Sequence, residues 1–599
     1  MTAPDIPTEF PTTGEDLRAW AAFLDTPVWD RFPESTTANA QEVYPGVGDP
    51  LSFDCNLIAI EHASRTFIDQ AGLAGIMGQN DWPDVGYYPA YYGRPHINIS
   101  AFREMVKYVP GGSPDALDEQ LFGKTREAGE PSWQPGRHEQ LIRLRTAAKV
   151  LPLVRRTPAD LARNEDAVED FMRRLQATDM AAWPDADLMA MLDRALRRNL
   201  RTTEIHSRVT LFSGSGLENL RAFLLAHDFD DVDATVAELN TGLRDIESAK
   251  PGREISRLGA FVRGDETLRR IFEGDPPAIL TAIQRGGGRS VDVFRERFQG
   301  FLDTYGYRGV RELGLATHVW AQRPDSVIAL IKSQAERQDA ADPETELRVQ
   351  EEKRERRTEA VEARLGVLQR RKFRGLLKAA HDGIAGRERA KSQWVRSTHS
   401  IRLIVREAGR RLVERGVLDE VDDVFYMRLR DLRQAMAGNP RPDMRALVAG
   451  YRKTKEVCER VATPERFVGR PDAWWRDDAG RVPAPLPSHN GLLRGIPVSP
   501  GRVTARARVI RELQDDIDLE PGEVLVCPFT DAAWTPLFFN AAAVVMDLGG
   551  PLSHGSTVAR EYGLPAVVNV KNGTQLIRNG QRITVDGTKG EVELEPEHT

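Results

Sequence analysis

The sequence predicts a multidomain protein in which a mostly α-helical domain precedes a smaller mixed α/β domain. Three observations lead to this prediction. The chain has 599 residues, which is too many for one compact core. Apolar residues recur at helical spacing from about residue 100 to residue 475. Beyond residue 490, short runs of β-branched and apolar residues replace that pattern.

The predicted helical domain covers residues 1–475. Segments such as ADLARNEDAVEDFMRRLQ place apolar residues three or four positions apart, which favours amphipathic helices. The segment ETELRVQEEKRERRTEAVEARL carries charges of both signs and is typical of a solvated helix. The helix after it repeats apolar residues and is predicted to stop at Gly416. The repeated positions are Trp394, Ile401, Val405, Ala408 and Leu412.

Two features of this domain resemble ligand sites and have plainer interpretations. The sequence RGGGRS (285–290) is interpreted as a loop between helices, because no strand precedes it and it lacks the ending of a phosphate-binding P-loop. The stretch DVGYYPAYYGRPHINIS contains four tyrosines, which either wall an aromatic pocket or pack as local core. They are Tyr87, Tyr88, Tyr91 and Tyr92.

The composition argues against several classes of protein. A net charge of −7 and a pI near 6.0 provide no global basic field for nucleic acid. The cysteines Cys55, Cys458 and Cys527 lie far apart, which fits a reducing cytosol and predicts neither disulfides nor a metal site. No stretch has the composition of a signal peptide or a membrane span. We therefore expect a cytoplasmic protein with no nucleic-acid or membrane partner.

The segment RDDAGRVPAPLPSHNG marks the boundary between the two domains. It alternates proline with small or polar residues, and a semi-stiff linker is predicted over residues 476–490. Beyond it, RVTARARVI, GEVLVCPF, AAAVVMDL, QRITVDG and GEVELEP predict strands. Residues 491–599 are therefore predicted to form the α/β domain.

Within that domain, the sequence GGPLSHGSTVAREYG predicts a sharp turn from a buried strand into a short helix. Ser553 suits the N-cap, so His554 falls in the first helical turn and Gly563 ends the helix. The partial positive charge of this helix end favours an anion and disfavours imidazolium. The ring therefore stays neutral and nucleophilic.

A phosphoryl group on His554 would be surrounded by groups that stabilise negative charge. The candidates for this role are Ser553, Ser556 and Thr557 through their hydroxyls, and Gly555 through the close approach that its backbone permits. A histidine at a helix start is otherwise an ordinary cap or surface residue. The residues by themselves leave both interpretations open.

The stretch GGPLSHGSTVAREYGLPAVVNV (549–570) resembles the phosphohistidine signature of the swivelling domain in phosphoenolpyruvate (PEP)-utilising enzymes. The resemblance extends through GIPVSPGRVTARARVI, LEPGEVLVCPFTDAAWTPLF and DGTKGEVEL, and so covers the whole domain. It implies a swivelling β/β/α phosphohistidine domain in which His554 carries the phosphoryl group. The residues beside the histidine, Leu552-Ser553 and Gly555-Ser556, depart from the classical synthases and dikinases and are nearer to the rifampin-phosphotransferase type.

The helical domain resembles, more patchily, the acceptor domain of rifampin phosphotransferases and the large subunit of phenol- and cresol-phosphorylating synthases. NAQEVYPGVGDPLSF is similar to the opening motif of that domain and implies a substrate-binding Gln41, unless the alignment slips to Glu42. YGYRGVRELGLATHVWAQRPD is similar to its GxRGxxE motif, which gives Arg308 and Glu312 as substrate-binding residues. A buried ion pair that braces the fold is the alternative for these two.

RERAKSQWVR is similar to the helix that carries an arginine and a lysine in the transfer site of the rifampin enzymes. The resemblance assigns catalytic roles to Arg387 and Lys391. At positions i and i+4 these like charges share a helix face and repel slightly, and a transferring phosphoryl group between them would reverse that cost. The alternative is a solvated basic face.

These observations predict a phosphotransferase component. No ATP-grasp pattern is evident, so we expect a separate ATP-grasp subunit of the PEP/pyruvate-binding type, which would hold ATP and Mg²⁺ and phosphorylate His554. The acceptor would be a small phenol or related alcohol. The alternatives are a split antibiotic phosphotransferase, a regulatory phosphocarrier that passes phosphate to a protein partner, and a scaffold with a degenerate site. The sequence does not choose between ADP and AMP plus phosphate as products.

Overall fold

The computed structural model describes residues 26–38, 40–78, 86–122, 133–337, 343–475, 491–513 and 519–595. The linker predicted over residues 476–490 lies outside this set. Among the described helices, none combines the length and the apolar character needed to cross a bilayer.

Short elements form the first part of the described chain. The strands are β1 (Glu34–Thr36), β2 (Ala90–Tyr91) and β3 (Arg94–Pro95). The helices are α1 (Ala40–Val43), α2 (Pro50–Ser52) with a π-helical turn after it (Phe53–Leu57), α3 (Ile58–Ala71), α4 (Ala74–Met77), α5 (Ile99–Val106) and α6 (Pro114–Phe122). The four tyrosines are packed here as local core; Tyr87, for example, contacts the Trp29 ring edge-on with centroids 5.5 Å apart.

In the described part of the chain, twelve further helices and two 3₁₀ turns (Met180–Ala182, Val421–Tyr426) make up the helical region. They are α7 (Arg137–Gln176), α8 (Asp185–Leu225), α9 (Val232–Leu239), α10 (Lys250–Arg263), α11 (Glu266–Ile271), α12 (Pro276–Arg285), α13 (Arg289–Tyr305), α14 (Pro324–Glu336), α15 (Pro343–Ala363), α16 (Val367–Glu414), α17 (Leu429–Met436) and α18 (Met444–Glu459). The RGGGRS sequence joins α12 to α13, so the prediction of a loop between helices is confirmed.

The long helix α16 packs along α8 at the centre of this region. The five apolar positions predicted from its spacing are all fully buried, and the helix ends two residues before Gly416. The middle of the helix, residues 387–402, also buries charged and hydroxyl side chains, from Arg387 to Arg402. Burial of charge is costly unless partners or ligands compensate, so this segment marks a candidate site.

The α/β part is built on an eight-stranded mixed sheet. After β4 (Val461–Ala462), β5 (Arg466–Val468) and β6 (Trp474–Trp475), which pair outside it, come its own strands. They are β7 (Leu492–Arg494), β8 (Ile496–Ser499), β9 (Arg502–Val509), β10 (Glu523–Cys527), β11 (Ala541–Met546), β12 (Ala566–Val568), β13 (Arg582–Asp586) and β14 (Glu591–Leu594). Their order is β7-β14-β13-β9-β10-β11-β12-β8, and β9 to β12 are parallel neighbours.

Both faces of the central parallel strands are apolar. Val524 and Val526 belong to the core on one face and Leu525 and Cys527 to the core on the other, as the alternation of a strand requires. The second face is covered by α19 (Thr535–Phe538), which follows a 3₁₀ turn (Ala532–Trp534), and by α20 (His554–Tyr562); α21 (Gly573–Leu576) follows β12. The carboxyl end of β11 leads into α20, and such strand ends are where open α/β sheets bind ligands.

Candidate active site

Local geometry places His554 at the first position of α20. Strand β11 ends at Met546, and the chain turns over residues 547–553. The Ser553 hydroxyl caps the helix by accepting a hydrogen bond from the Ser556 backbone N–H at 3.3 Å. At the other end, Gly563 adopts the left-handed conformation with φ of 64°. The predicted strand, N-cap and helix end are therefore confirmed.

Glycine at position 555 is required because the start of α20 lies directly against β11. A Cβ there would lie 2.4 Å from Cε of Met546 and 2.5 Å from Oγ1 of Thr530. Contacts this short cannot persist, so these side chains or the helix would have to move. Glycine therefore lets the start of α20 pack closely against Met546 and Thr530.

The hydroxyl groups near His554 bond within the loop. The Ser553 and Ser556 oxygens are 2.8 Å apart, and the Ser556 hydroxyl donates to the Gly550 carbonyl at 2.7 Å. The Thr557 hydroxyl accepts a long hydrogen bond from Arg560 at 3.5 Å. These bonds hold the turn in shape, and stabilisation of a phosphoryl group by these residues stays a prediction.

The His554 side chain is buried where the α/β domain meets the helical domain, with 2% of its surface exposed. Its Nε2 atom lies 3.2 Å from the Thr535 hydroxyl, at the start of α19. That hydroxyl also donates to the backbone carbonyl of Ser248, in the helical domain, at 3.2 Å. The imidazole is thus joined through one hydroxyl to the opposite domain.

The electrostatic surroundings of His554 come mainly from the helical domain. Burial lowers the pKa of His554 well below its usual value, and the positive charges of Lys391, Arg308 and Arg387 lower it further. The ring is therefore neutral at neutral pH, as a nucleophilic imidazole must be. The fold has brought three of the five helical-domain residues predicted from the sequence to one histidine.

Arg387 and Lys391 are buried, with 6% and 8% of their surfaces exposed, so a solvated basic face is wrong at these two positions. An Arg387 Nη1 hydrogen bond to the Leu552 carbonyl ties α16 to the loop before His554. The same nitrogen lies 3.5 Å from the Glu388 carboxylate. Lys391 has no hydrogen bond or ion pair among the described residues. A buried cation that no carboxylate contacts directly favours binding of an anion.

Arg308 and Glu312 form the buried ion pair that was one of their two predicted roles. Arg308 Nη1 lies 3.0 Å from each Glu312 carboxylate oxygen, and the residues are 2% and 4% exposed. The pair lies in the loop between α13 and α14. The ion pair therefore braces this loop. The Arg308 charge also lowers the pKa of His554, so the pair is compatible with a role in the site as well.

The role of Gln41 in substrate binding stays a prediction. Gln41 lies half-buried on α1, where its backbone N–H donates to Thr37 at 3.0 Å. A cavity of about 30 Å³ separates the loop over residues 548–553 from Arg387, Thr210 and Ala38. Ala38 lies just before α1, so the segment that contains Gln41 comes close to the loop before His554. Gln41 itself is not among the described residues that line this cavity. The side chain of Glu42, the alternative, lies outside the described part.

Asp531 is a site residue that the sequence analysis missed. It accepts hydrogen bonds from the backbone N–H groups of Arg311 at 2.8 Å and Ala533 at 3.0 Å, so it connects the α/β domain to the GxRGxxE loop. Burial, and then the nearby Glu312 carboxylate, raise the pKa of Asp531 to about 7, although Lys391 opposes this shift. The motif TDAAWTPLF contains both Asp531 and Thr535, but its sequence does not indicate which side chains face the other domain.

His206, on α8, was also missed. It is 7% exposed, and its ring centroid lies 5.0 Å from that of Trp394 on α16. Burial, followed by the charges of Arg387 and Lys391, lowers the pKa of His206 to about 3. Two neutral imidazoles, His206 and His554, therefore share the same pair of cations. A histidine inside an amphipathic helix pattern carries no sequence signal for such a site.

Within the described residues, no group of three or more histidine, cysteine, aspartate or glutamate side chains could hold a metal ion. The three cysteines are buried and unpaired, and burial raises the pKa of each thiol. The expectation that this chain has no metal site of its own stays a prediction.

Comparison with known proteins relates both halves of this site to one family. Residues 519–590 match the mobile domain of PEP-utilising enzymes, and this range contains Asp531, Thr535 and His554. The chain is a relative of the PEP-utilising phosphotransferases. Residues 206–388 match the fourth domain of rifampicin phosphotransferase, a range that begins at His206 and includes Arg387.

Individual relatives extend this likeness. The rifampicin phosphotransferase of Streptomyces sviceus is 32% identical over 310 residues, which is 50% of this chain and 34% of that protein. The prodigiosin synthesizing transferase PigC of Serratia marcescens is 28% identical over 579 residues, covering 92% of this chain and 62% of that protein. An uncharacterized protein of Mycobacterium tuberculosis is 26% identical over 586 residues, with coverages of 95% and 62%. The chain thus spans less than two thirds of the length of these relatives.

Proposed function

We propose that this chain transfers a phosphoryl group from His554 to the hydroxyl group of a small phenol-like molecule held at the helical domain. One observation carries the proposal: the His554 imidazole is buried, and the positive charges that lower its pKa, those of Lys391, Arg308 and Arg387, all come from the helical domain. A phosphoryl group on the ring would bring about two negative charges to these cations. Such cations stabilise the charge that spreads over the phosphoryl oxygens during transfer.

The transfer step requires little proton chemistry from the protein. The acceptor oxygen forms a bond to phosphorus while the bond from phosphorus to the His554 ring breaks, and the electron pair of that bond returns to the ring. The hydroxyl proton ends on the ring, which is neutral again after the step. Arg387 and Lys391 are positioned for this step, since both contribute to the electrostatics of His554.

Loading of His554 requires another arrangement of the domains. A phosphoryl donor cannot reach a side chain that is 2% exposed, so the α/β domain has to leave the helical domain to be phosphorylated. A linker of about 15 residues, at roughly 3 Å each, spans about 40 Å, which is enough for such a movement. The donor would be ATP with Mg²⁺ at an ATP-grasp subunit of the PEP/pyruvate-binding type, forming a hetero-oligomer with this chain in the cytoplasm.

The chemical class of the acceptor can be tested directly. Mass spectrometry would follow a reaction of this chain, the ATP-grasp protein, ATP and Mg²⁺ with phenol, cresols and rifampicin. Phosphorylation of a phenol supports the proposal. Phosphorylation of rifampicin alone would indicate an antibiotic phosphotransferase, the activity for which the Streptomyces sviceus relative is named. Phosphate appearing only on a protein would indicate a phosphocarrier.

The need for a second protein has its own test. Calorimetry with Mg²⁺–ATP on the purified chain should show no binding in the low micromolar range, and His554 should remain unlabelled. Labelling of His554 by ATP without the partner would contradict the separate subunit and place the nucleotide site within these 599 residues.

A further inference from the structure

We propose that His206 binds the hydroxyl group of the acceptor, through a hydrogen bond that its Nδ1 atom accepts beside Arg387 and Lys391. This inference rests on the proposed function and deepens it, because it names the side chain that orients the attacking oxygen. His206 lies on α8, whereas His554 lies in the α/β domain. The two rings belong to the two halves of the site.

His206 has a buried polar atom that is not satisfied by a hydrogen bond. His206 is 93% buried, and its Nδ1 atom is fully buried without a hydrogen-bond partner among the described residues. Nε1 of Trp394, whose ring lies against the His206 ring, is unsatisfied as well. Buried polar atoms without partners are rare in folded proteins and call for a ligand or a bound water. Two such atoms on neighbouring rings, tilted by 38° to each other, indicate a place for a polar ligand beside Lys391, which precedes Trp394 by less than one helical turn.

The tautomer of His206 determines whether Nδ1 can accept a hydrogen bond. Nε2 lies 3.5 Å from the Thr210 hydroxyl, one turn further along α8. When Nε2 carries the proton and donates to this oxygen, Nδ1 has a lone pair and accepts a hydrogen bond. The nearby cations keep the ring neutral: burial and then Arg387 and Lys391 lower its pKa to about 3. His206 therefore accepts a hydrogen bond at neutral pH, which a protonated ring cannot do.

A small cavity lies close to His206, on the side of its Nε2 partner. Thr210, the partner of Nε2, lines the cavity of about 30 Å³ between Arg387 and the loop that precedes His554. A cavity of this size holds about one small polar group. A hydroxyl placed there would lie between Arg387 and the loop that carries the phosphoryl group, next to the residue whose hydroxyl lies 3.5 Å from His206 Nε2. The hydrogen bond to Nδ1 would point an oxygen lone pair toward phosphorus. The hydroxyl proton would pass to Nδ1 of His206 as the new bond forms, and would move to the His554 ring after the phosphoryl group has left it.

The experiment compares two substitutions that separate packing from hydrogen bonding. His206→Phe keeps a flat ring against Trp394 and removes the acceptor atom, whereas His206→Gln restores a hydrogen-bond acceptor. His227→Phe, just beyond the end of the same helix, is the matched control, because His227 Nδ1 already bonds the Phe223 carbonyl at 2.7 Å. Each protein would be loaded at His554 with phosphoramidate, a chemical phosphoryl donor, and then chased with phenol.

We expect all four proteins to load equally. Transfer to phenol should be about 100-fold slower in His206→Phe, the scale for losing orientation of a reacting group. His206→Gln should recover most of that loss, and His227→Phe should match the wild type. A second readout does not need turnover: the His206 ¹⁵N resonances of the unloaded chain should shift when phenol is added.

The outcomes separate the two proposals. Three results would overturn the role of His206. The first is a His206→Phe protein that transfers at the wild-type rate, and the second is the absence of a ¹⁵N shift with phenol. The third is an equal loss of transfer in His206→Phe and His206→Gln, accompanied by lowered melting temperatures. In each of these cases the proposed function would still hold, provided that the wild-type chain loads His554 and transfers the phosphoryl group to phenol. Failure of the wild-type chain to form acid-labile phosphate on His554 would contradict the proposed function itself.

Discussion

The guanidinium group of Arg387 donates a hydrogen bond to the carbonyl oxygen of Leu552, two residues before His554. This bond joins the middle of the longest helix to the loop that presents the imidazole. Arg387 therefore contributes both to docking of the α/β domain and to the charge around His554, whereas Lys391 contributes charge without such a bond. The two residues should consequently respond differently to substitution.

His554 should carry the phosphoryl group through a bond between phosphorus and nitrogen, which is labile in acid and stable in base. Labelled ATP with the ATP-grasp partner should give label on the wild-type chain that mild acid removes, and none on His554→Ala. His227→Phe is a control for loss of a distant imidazole. Acid-labile label on His554→Ala would place the carrier elsewhere.

Lys391→Ala should leave loading of His554 unchanged and slow product formation by about 100-fold, the scale for losing one preorganised charge in a transfer site. Arg387→Ala should slow transfer at least as much and should also weaken docking, because the bond to Leu552 is lost. Loading and transfer would be measured separately by acid-labile label and by mass spectrometry of the product.

The matched control for these cations is Lys378→Ala on the same helix. Lys378 is 74% exposed and pairs with Asp382 at 2.6 Å, away from the site. If Lys391→Ala and Lys378→Ala both transfer at the wild-type rate, the buried charge of Lys391 has no part in catalysis.

Gly252→Val should block docking of the α/β domain. A Cβ at Gly252, on α10, would lie 2.5 Å from the methyl group of Thr535 and 3.1 Å from the hydroxyl of Tyr562. Thr535 is the residue that contacts His554, so the clash falls beside the imidazole. We expect normal or faster loading, because His554 is freed, and transfer reduced at least tenfold.

Small-angle scattering would report the docking state of the Gly252 variant. Gly375→Val is the control, since a Cβ at Gly375 on α16 meets no atom within 4 Å. A Gly252→Val protein that is as compact as the wild type and transfers normally would show that the described arrangement is not the transfer state.

Asp531 should make stability depend on pH. Burial and Glu312 raise the pKa of Asp531 from 3.8 to about 7. At pH values between these two, the native state holds a proton on Asp531 that the unfolded state has lost. The free energy of unfolding should therefore fall as pH rises from about 4 to 7, by about 4 kcal/mol for this group. Asp531→Asn cannot ionise and should lack this part of the dependence.

Melting curves of the wild type and Asp531→Asn between pH 4 and 8 would test this. The difference between the two proteins is the relevant quantity, because burial also raises the pKa of Asp547 to about 6 and of Glu561 to about 8, which gives slopes of the same sign. Parallel curves for the two proteins would contradict the assigned shift of Asp531.

Local sequence signals were sufficient for the elements that carry the site. The N-cap at Ser553 and the helix end at Gly563 depend on residues within one or two turns, and both are observed as predicted. The same holds for the apolar repeat of α16, which predicts its buried face and places Arg387 and Lys391 one turn apart. The coarse architecture, a helical region followed by strands, follows from the change in periodicity.

The tertiary structure decided which of these elements meet. Arg387 and Leu552 are 165 positions apart, and no local pattern encodes the contact between them. Burial of Lys391 distinguishes a candidate anion site from a solvated basic face. This burial depends on the packing of α16 against the rest of the fold. The order of the eight strands likewise rests on non-local pairing.

The sequence by itself therefore determined the chemistry available to this protein: a histidine at a helix start, and an arginine and a lysine one turn apart. Only the tertiary structure decided that these groups are buried near one another, and that Asp531 and His206 lie close to the same charges. The physical reason is that helix and turn preferences act over a few residues, whereas burial and charge proximity are set by surfaces from distant parts of the chain.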